Sequence, residues 1–287
     1  VIVDRFGFYI TYRKSLVADK LKSWLFGIVI GGLLLAAILW LYLWLGTSFW
    51  WVACIVVAAF SMLMNMFYSE WIVPLFNKQT PLEEGELRNA IEKFANRAGF
   101  KLNNIYVIDG SKRSTKANAY FSGLGPKKRI VLYDTLIDDL STEEIVAVLA
   151  HEIGHYKHKH TWQMMGVSVM NTVLMFFLLS LVLDSSVLAE AMGGSTPSFP
   201  LALVAFGLLY TPLELLTGIG INALSRRNEY QADAFAASFG LANALIGGLK
   251  KLSVKSLSNL TPDSLYVKVY YSHPTLLQRM AALQKYK

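Results

Sequence analysis

The sequence predicts a mainly α-helical integral membrane protein, a multi-span helical bundle with a cytoplasmic part that contains a small β-sheet. Three observations carry this reading. Of the 287 residues, 54% are hydrophobic and the mean hydropathy is +0.40, which fits a chain facing lipid better than a soluble one. Residues 24–45, 49–67, 161–183 and 199–223 are apolar over the length of about 20 residues that a helix needs to cross a bilayer. Basic residues are also sorted along the chain. Arg5, Arg13, Lys14, Lys20 and Lys22 precede the first span, residues 68–160 are rich in Lys and Arg, and Arg226 and Arg227 follow the fourth span. The connection 46–48 is uncharged, and 184–198 holds Asp184 and Glu190 with no basic residue. By the positive-inside rule the basic segments are cytoplasmic.

The formal net charge of +7 follows from this topology and from contact with anionic lipid, so it gives no reason to invoke nucleic acid. Cys54 lies inside a span and is the single cysteine, which excludes an intrachain disulfide. The chain opens at Val1 with neither an initiator methionine nor a cleavable signal, as a fragment or processed product would.

Four regions are expected in order: 1–68, a basic lead-in and two spans; 69–160, a cytoplasmic part with the sheet; 161–223, two further spans; and 224–287, a helical end. Phe6, Phe8, Tyr9 and Tyr12 suit the membrane interface, and Trp40, Tyr42, Trp44, Trp50, Trp51, Tyr68 and Trp71 cluster near span ends as an aromatic belt. Gly31 and Gly32 either permit close helix packing or simply face lipid. Leu87, Ile91, Phe94 and Ala95 recur at helical spacing within 82–98, and Gly99 is the expected stop. Residues 105–108, 118–122 and 129–133 read as strands, the last two joined through 123–128 as a hairpin or a looser pair. A free strand edge there could hold an extended peptide, or the sheet could merely close the domain. Helices are expected over 241–252 and 275–284.

The stretch 148–160, VLAHEIGHYKHKH, sets His151, Glu152 and His155 in the H-E-x-x-H arrangement. Ser141 with Glu144 reads as a capping box, so a helix should start near Thr142. On it His151 and His155 share a face and can ligate one zinc ion, and Glu152 can serve as general base toward a water. A chance match would mean two surface histidines and a glutamate. With no proline between His160 and Pro197, this helix is expected to run on into the third span.

Glu229 and Asp233 lie four residues apart on one helical face, so one can ligate zinc while the other holds a ligating histidine. His158 is two turns from His151, too far to share its ion, and the extended H-E-x-x-H-x-x-G-x-x-H pattern is not met. His158 and His160 are therefore read as interfacial cations or polar surface residues, which leaves Glu229 as the better third ligand. Two histidines, a glutamate and an open position make a gluzincin-type catalytic zinc site. Glu214, inside the fourth span, either lines a substrate path or snorkels or pairs with Arg226 or Arg227, while Ser168, Asn171 and Thr172 in the third span face an aqueous interior or bond between helices. His273, before Pro274, is either a transition-state hydrogen-bond donor or a plain surface histidine.

At GSKRSTKANAYF (110–121), KRIVLYDTL (128–136), AVLAHEIGH (147–155), SRRNEYQADAFA (225–236) and YSHPTLLQR (271–279), the chain resembles the type I CAAX prenyl endopeptidases. These are integral-membrane zinc metalloproteases that process prenylated proteins. The resemblance implies one catalytic zinc ion held by His151, His155 and Glu229, with Glu152 as base and Asp233 supporting a ligand. It also implies that His273 stabilises the oxyanion, that Asn118 helps hold substrate backbone, and that Arg226 and Arg279 are structural or supporting groups. The implied partners are a peptide or protein substrate, C-terminally prenylated in this family, and the lipid bilayer.

The family's fold encloses a large chamber within seven spans, so an N-terminal portion and one further span are expected to be missing here. The short connection 136–143 lacks the insertion of animal members and points to a bacterial or fungal relative. The corresponding membranes are the bacterial plasma membrane or, in a eukaryote, the endoplasmic reticulum. The rival readings are an HtpX-like protease of membrane-protein quality control, an inactive zinc-binding membrane scaffold and a transporter.

Overall fold

The computed structural model describes residues 13–102, 105–122 and 129–286. The aromatic lead-in before Arg13 and the connection 123–128 lie outside the described residues. In chain order the elements are α1 (Arg13–Phe26), α2 (Gly32–Leu45), α3 (Phe49–Trp71), α4 (Val73–Phe76), β1 (Gln79–Pro81), α5 (Glu86–Arg97), β2 (Ile105–Ile108), β3 (Ala119–Ser122) and β4 (Arg129–Tyr133). They continue as α6 (Asp134–Asp139), α7 (Thr142–Lys157), α8 (His160–Val182), α9 (Ser186–Ala191), α10 (Phe199–Ser238), α11 (Ala242–Lys255), α12 (Ser264–Tyr270) and α13 (Leu276–Leu283). The chain divides into two compact units, one built from Val17–Leu63 with Trp162–Ile221 and the other from Met64–Thr161 with Asn222 onward.

Among the described residues four helices are long and apolar enough to cross a membrane: Leu16–Leu45, Phe49–Trp71, His160–Val182 and Phe199–Ser238. The expected four spans are thus met by four helices. The core of the first unit forms around Phe49, whose ring is fully buried against Tyr42, Phe176 and Phe199. Ile28, Leu33, Leu43, Met170 and Leu208 point outward, as side chains in contact with hydrocarbon must. Gly31 and Gly32 have open space where a side chain would go, at the end of a π-helical turn, so the close-packing reading of this pair is not met among the described residues. Ser168 and Thr172 bond within their own helix, whereas Asn171 reaches across to the Tyr210 hydroxyl at 3.3 Å.

The second unit is built on a four-stranded sheet in the order β1-β2-β4-β3. β2 runs parallel to β4, pairing Ile105 with Ile130, and β3 runs antiparallel to β4, pairing Tyr120 with Val131. The strand pair 118–122 and 129–133 is therefore a true antiparallel ladder with β3 at its outer edge. β1 went unrecognised in the sequence because three residues ending in Pro81 carry no alternation. After β2, the Ser111 amide donates to Asp134 Oδ1 at 2.9 Å and the Thr135 hydroxyl donates to the Lys116 carbonyl at 3.1 Å, pinning the polar loop over the end of β4.

α7 opens on the expected capping box, with the Glu144 amide donating to Ser141 Oγ and the Ser141 amide to Glu144 Oε2. Ile145 to His151, Ile153 and Gly154 are all buried, so this helix is enclosed on every side. α5, α11 and β3 pack around it. It does not run on into the third span. Lys159 takes a left-handed backbone (φ 58°) after the His158 cap, and a new helix begins at His160. A non-glycine residue in that region ends a helix as surely as proline does, and sequence periodicity does not reveal it.

Candidate metal centre

His151 and His155 sit one turn apart on α7 with their Nε2 atoms 3.1 Å from each other. Glu229, from α10, places Oε2 3.5 Å from His151 Nε2 and Oε1 3.3 Å from His155 Nε2. One donor atom from each of the three lies within 4.8 Å of the others. A tetrahedral zinc ion about 2.0–2.1 Å from each ligand holds its ligand atoms about 3.3–3.4 Å apart, close to the spacing observed. Glu229 Oε2 is buried and accepts no hydrogen bond, with Arg279 Nη1 at 3.4 Å in ion-pair range only, so a bound cation would complete its partners. By donor chemistry and spacing these residues fit zinc.

Two distant pieces of chain converge here because α7 and α10 can approach closely. A Cβ on Gly154 would stand 3.0 Å from Ala232 Cα and 3.1 Å from both the Ala232 carbonyl and Phe235 Cβ. The glycine between the two histidines and the alanine just beyond Glu229 thus remove the side chains that would hold the helices apart.

Asp233, only 1% exposed, supports the first histidine, with Oδ1 2.9 Å from His151 Nδ1. Its own charge is matched by the buried Arg279, which grips it from α13 through Nε at 2.9 Å and Nη2 at 2.6 Å. Arg279 Nη1 also lies 3.4 Å from Glu229 Oε2. Burial works against a charge on His151, yet Asp233 and Glu229 push its pKa up to about 9, a measure of how strongly the two carboxylates polarise that ring. Burial pushes the Glu152 carboxyl up, while the neighbouring His151 and His155 pull it back down.

The remaining expected site residues divide by location. His273 Nε2 lies 3.4 Å from Glu229 Oε1, its Nδ1 is 2.9 Å from Ser272 Oγ, and its side chain is 64% exposed. With Tyr271, Ser272 and Arg279 it lines a cavity of about 400 Å³. Arg226 donates to the carbonyls of Val267, Lys268 and Tyr271, in the segment that leads to His273. Asn118 is exposed just before the edge strand β3, and its carbonyl accepts from the Tyr133 amide at 3.0 Å.

One expectation is overturned. His160 is not a surface cation: it is 4% exposed, with Nδ1 2.9 Å from His155 Nδ1 and Nε2 2.9 Å from Gln231 Oε1. The left-handed turn at Lys159 carries it back over the second histidine. His158 stays exposed, stacked on His160 at 5.4 Å between ring centroids. The expected continuous helix hid the turn that buries His160, and Gln231 was overlooked although it stands two residues beyond Glu229.

Comparison with known proteins gives concordant findings. The model described as "Peptidase family M48" matches residues 81–287, and that described as "CAAX prenyl protease N-terminal, five membrane helices" matches residues 1–78. The chain is 40% identical to CAAX prenyl protease 1 of Saccharomyces cerevisiae, over 99% of this chain and 66% of that protein. It is 37% identical to the CAAX prenyl protease 1 homolog of Dictyostelium discoideum, over 99% of this chain and 67% of the relative. Among solved structures, the crystal structure of S. mikatae Ste24p superposes with a TM-score of 0.92 at 39% identity, covering 99% of this chain and 69% of that one. The chain thus spans about two thirds of the length of these relatives.

Proposed function

The chain belongs to peptidase family M48, and from that premise we propose that it is a multi-pass membrane zinc endopeptidase that trims C-terminally prenylated CAAX substrates. The observation that carries the reading is the convergence of His151, His155 and Glu229 at ligand spacing, with Glu152 on the same helix as the two histidines. The substrate class draws on the names of the relatives, CAAX prenyl protease 1 in yeast and its homologs in slime mould and plants. The basic segments support a catalytic side facing the cytoplasm, and eukaryotic relatives favour the endoplasmic reticulum membrane over a bacterial one.

In this reading His151, His155 and Glu229 hold the metal. Zinc bound there supplies a Lewis acid for the scissile carbonyl and lowers the pKa of a water. Glu152 takes a proton from the attacking water and delivers it to the leaving amine. His273 donates a hydrogen bond to the oxyanion as it develops, from a ring reachable by substrate. Asn118 and the outer edge of β3 hold the peptide extended by main-chain pairing alongside α7. Asp233 and Arg279 fix the ring of His151.

The test is zinc analysis together with cleavage of a farnesylated C-terminal peptide by wild type and Glu152→Gln. Wild type should hold one zinc and cleave. Glu152→Gln should keep the zinc and lose at least about 10²-fold in turnover, the usual worth of a general base. Cleavage by this variant at the wild-type rate would remove Glu152 from the chemistry, and cleavage of unprenylated protein alone would move the substrate class to membrane-protein quality control.

A further inference from the structure

We infer that His160 and Gln231 form a hydrogen-bonded relay that fixes the tautomer of His155 and so makes its Nε2 available to the metal. They are positioning residues, and the inference rests on the zinc-site reading above. His155 can ligate through Nε2 only if its ring proton is on Nδ1. For His151 that requirement is met by the Asp233 carboxylate, which accepts from Nδ1–H at 2.9 Å. Among the described residues no carboxylate bonds to His155 Nδ1. The neighbour there is another imidazole nitrogen, His160 Nδ1, at 2.9 Å.

Two imidazoles meeting nitrogen to nitrogen leave the direction of the bond undecided. His155 can donate to His160 and keep a lone pair on Nε2, or the reverse, which puts a proton on Nε2 and blocks the metal. The far side of His160 decides. Its Nε2 lies 2.9 Å from Gln231 Oε1, a carbonyl oxygen that can only accept. With the Gln231 amide oxygen on that side, His160 carries its proton on Nε2 and donates to Gln231. Its Nδ1 has a lone pair and accepts from His155 Nδ1–H, and His155 Nε2 is left bare, directed at the point where His151 Nε2 also converges, 3.1 Å away.

The backbone holds the pieces in place. The left-handed Lys159 turns the chain so that His160 falls over His155, and His160 is buried. Gln231 lies on the same helix as Glu229, two residues on, so the element that brings the third ligand also brings the acceptor that orients the second. A buried His160 that reaches His155 on one side and Gln231 on the other is more than packing requires, since an apolar side chain would fill the space without needing a partner.

The relay predicts that the hydrogen-bond character of residue 231, acceptor or donor, governs metal retention, not its size. Gln231→Glu keeps an acceptor facing His160 and should release zinc to an excess chelator, followed by absorbance, at close to the wild-type rate. Gln231→Lys offers donors only and reverses the relay, so zinc affinity should fall about 10- to 100-fold, the range for losing an outer partner of a ligating histidine. His160→Gln, whose amide oxygen can accept from His155 Nδ1–H, should retain zinc better than His160→Leu. Solid-state ¹⁵N NMR of histidine-labelled wild-type protein reads the tautomers without any variant: His160 protonated on Nε2 and His155 on Nδ1. Equal zinc retention in Gln231→Glu and Gln231→Lys, or an Nδ1-protonated His160 in the spectrum, overturns the relay, and the spectrum decides if Gln231→Lys does not fold. Failure of wild type itself to bind zinc would instead sink the metal-site reading on which the relay depends.

Discussion

Asp233 and Arg279 form a two-pronged ion pair in which both partners are buried, Nε to Oδ2 at 2.9 Å and Nη2 to Oδ1 at 2.6 Å, while the same Oδ1 lies 2.9 Å from His151 Nδ1. A lone carboxylate so enclosed is expensive, and the guanidinium fork is what allows it to remain ionised against the ligand. Arg279→Leu removes the fork and leaves the charge. The expected result is a loss of about 3–5 kcal/mol of stability with weakened zinc binding. Arg279→Lys should recover little, because an ammonium cannot span both oxygens. Thermal melts with and without added zinc check this, and a lysine variant equal to wild type would contradict it.

The approach of α7 to α10 yields a second prediction. Gly154→Ala adds a methyl where Ala232 Cα, its carbonyl and Phe235 Cβ stand only 3.0–3.1 Å away, and two of these three atoms are backbone. Backbone cannot rotate aside, so the helices must part by a few tenths of an ångström. That should cost about 1–3 kcal/mol, as overpacking of a core does, and should weaken zinc binding because Glu229 is pushed away from both histidines. The Gly247 position is a useful contrast. There the nearest atom to an added Cβ is the movable Glu144 Oε1 at 2.8 Å, so Gly247→Ala should be milder and leave zinc affinity unchanged.

A third prediction concerns pH. Burial acts to raise the Glu144 pKa, but its ion pair with Lys251 at 2.6 Å and its bonds to Ser141 outweigh this and hold it below the ordinary value of 4.5. A carboxylate depressed on folding contributes stability above its unfolded pKa and loses it as pH falls through the lower folded value. Glu144→Gln keeps the capping geometry and removes the charge. The variant should be about 0.5–1 kcal/mol less stable than wild type at neutral pH, since Lys251 is half-exposed. That gap should close as pH drops below 4.5, the unfolded reference, in melting curves taken across that range.

These predictions also mark which parts of the molecule were readable from sequence. Ser141 and Glu144 announced the start of α7 because a capping box is local chemistry, and the four spans were visible because twenty apolar residues in a row leave few alternatives. The pairing of His151 and His155 with Glu229 could be anticipated because ligand types and helical spacing are themselves the signal. What stayed hidden depends on a single backbone torsion. Lys159 in the left-handed region breaks a pattern that otherwise reads as continuous helix, and with it went the places of His160 and Gln231. Arg279 lies 46 residues from Asp233, and family resemblance named it without indicating the bidentate contact that the fold supplies.

The fourth prediction separates His273 from the metal ligands. Its Nε2 lies 3.4 Å from Glu229 Oε1, but its side chain is 64% exposed, and it opens onto the cavity with Tyr271, Ser272 and Arg279. A ligand would be more enclosed with its ion, as the side chains of His151, His155 and Glu229 are at 8%, 23% and 6% exposure. An exposed imidazole beside the site is placed to meet substrate instead, with Ser272 Oγ at 2.9 Å from Nδ1 to steady the ring. His273→Ala should therefore leave zinc content and melting temperature unchanged. It should lower kcat by about 10²–10³-fold with little change in KM, as removal of one oxyanion donor does. His273→Gln, which keeps a donor of similar reach, should recover part of the rate. If His273→Ala lost zinc in proportion to activity, the residue would belong with the ligands and its exposed position would need another explanation.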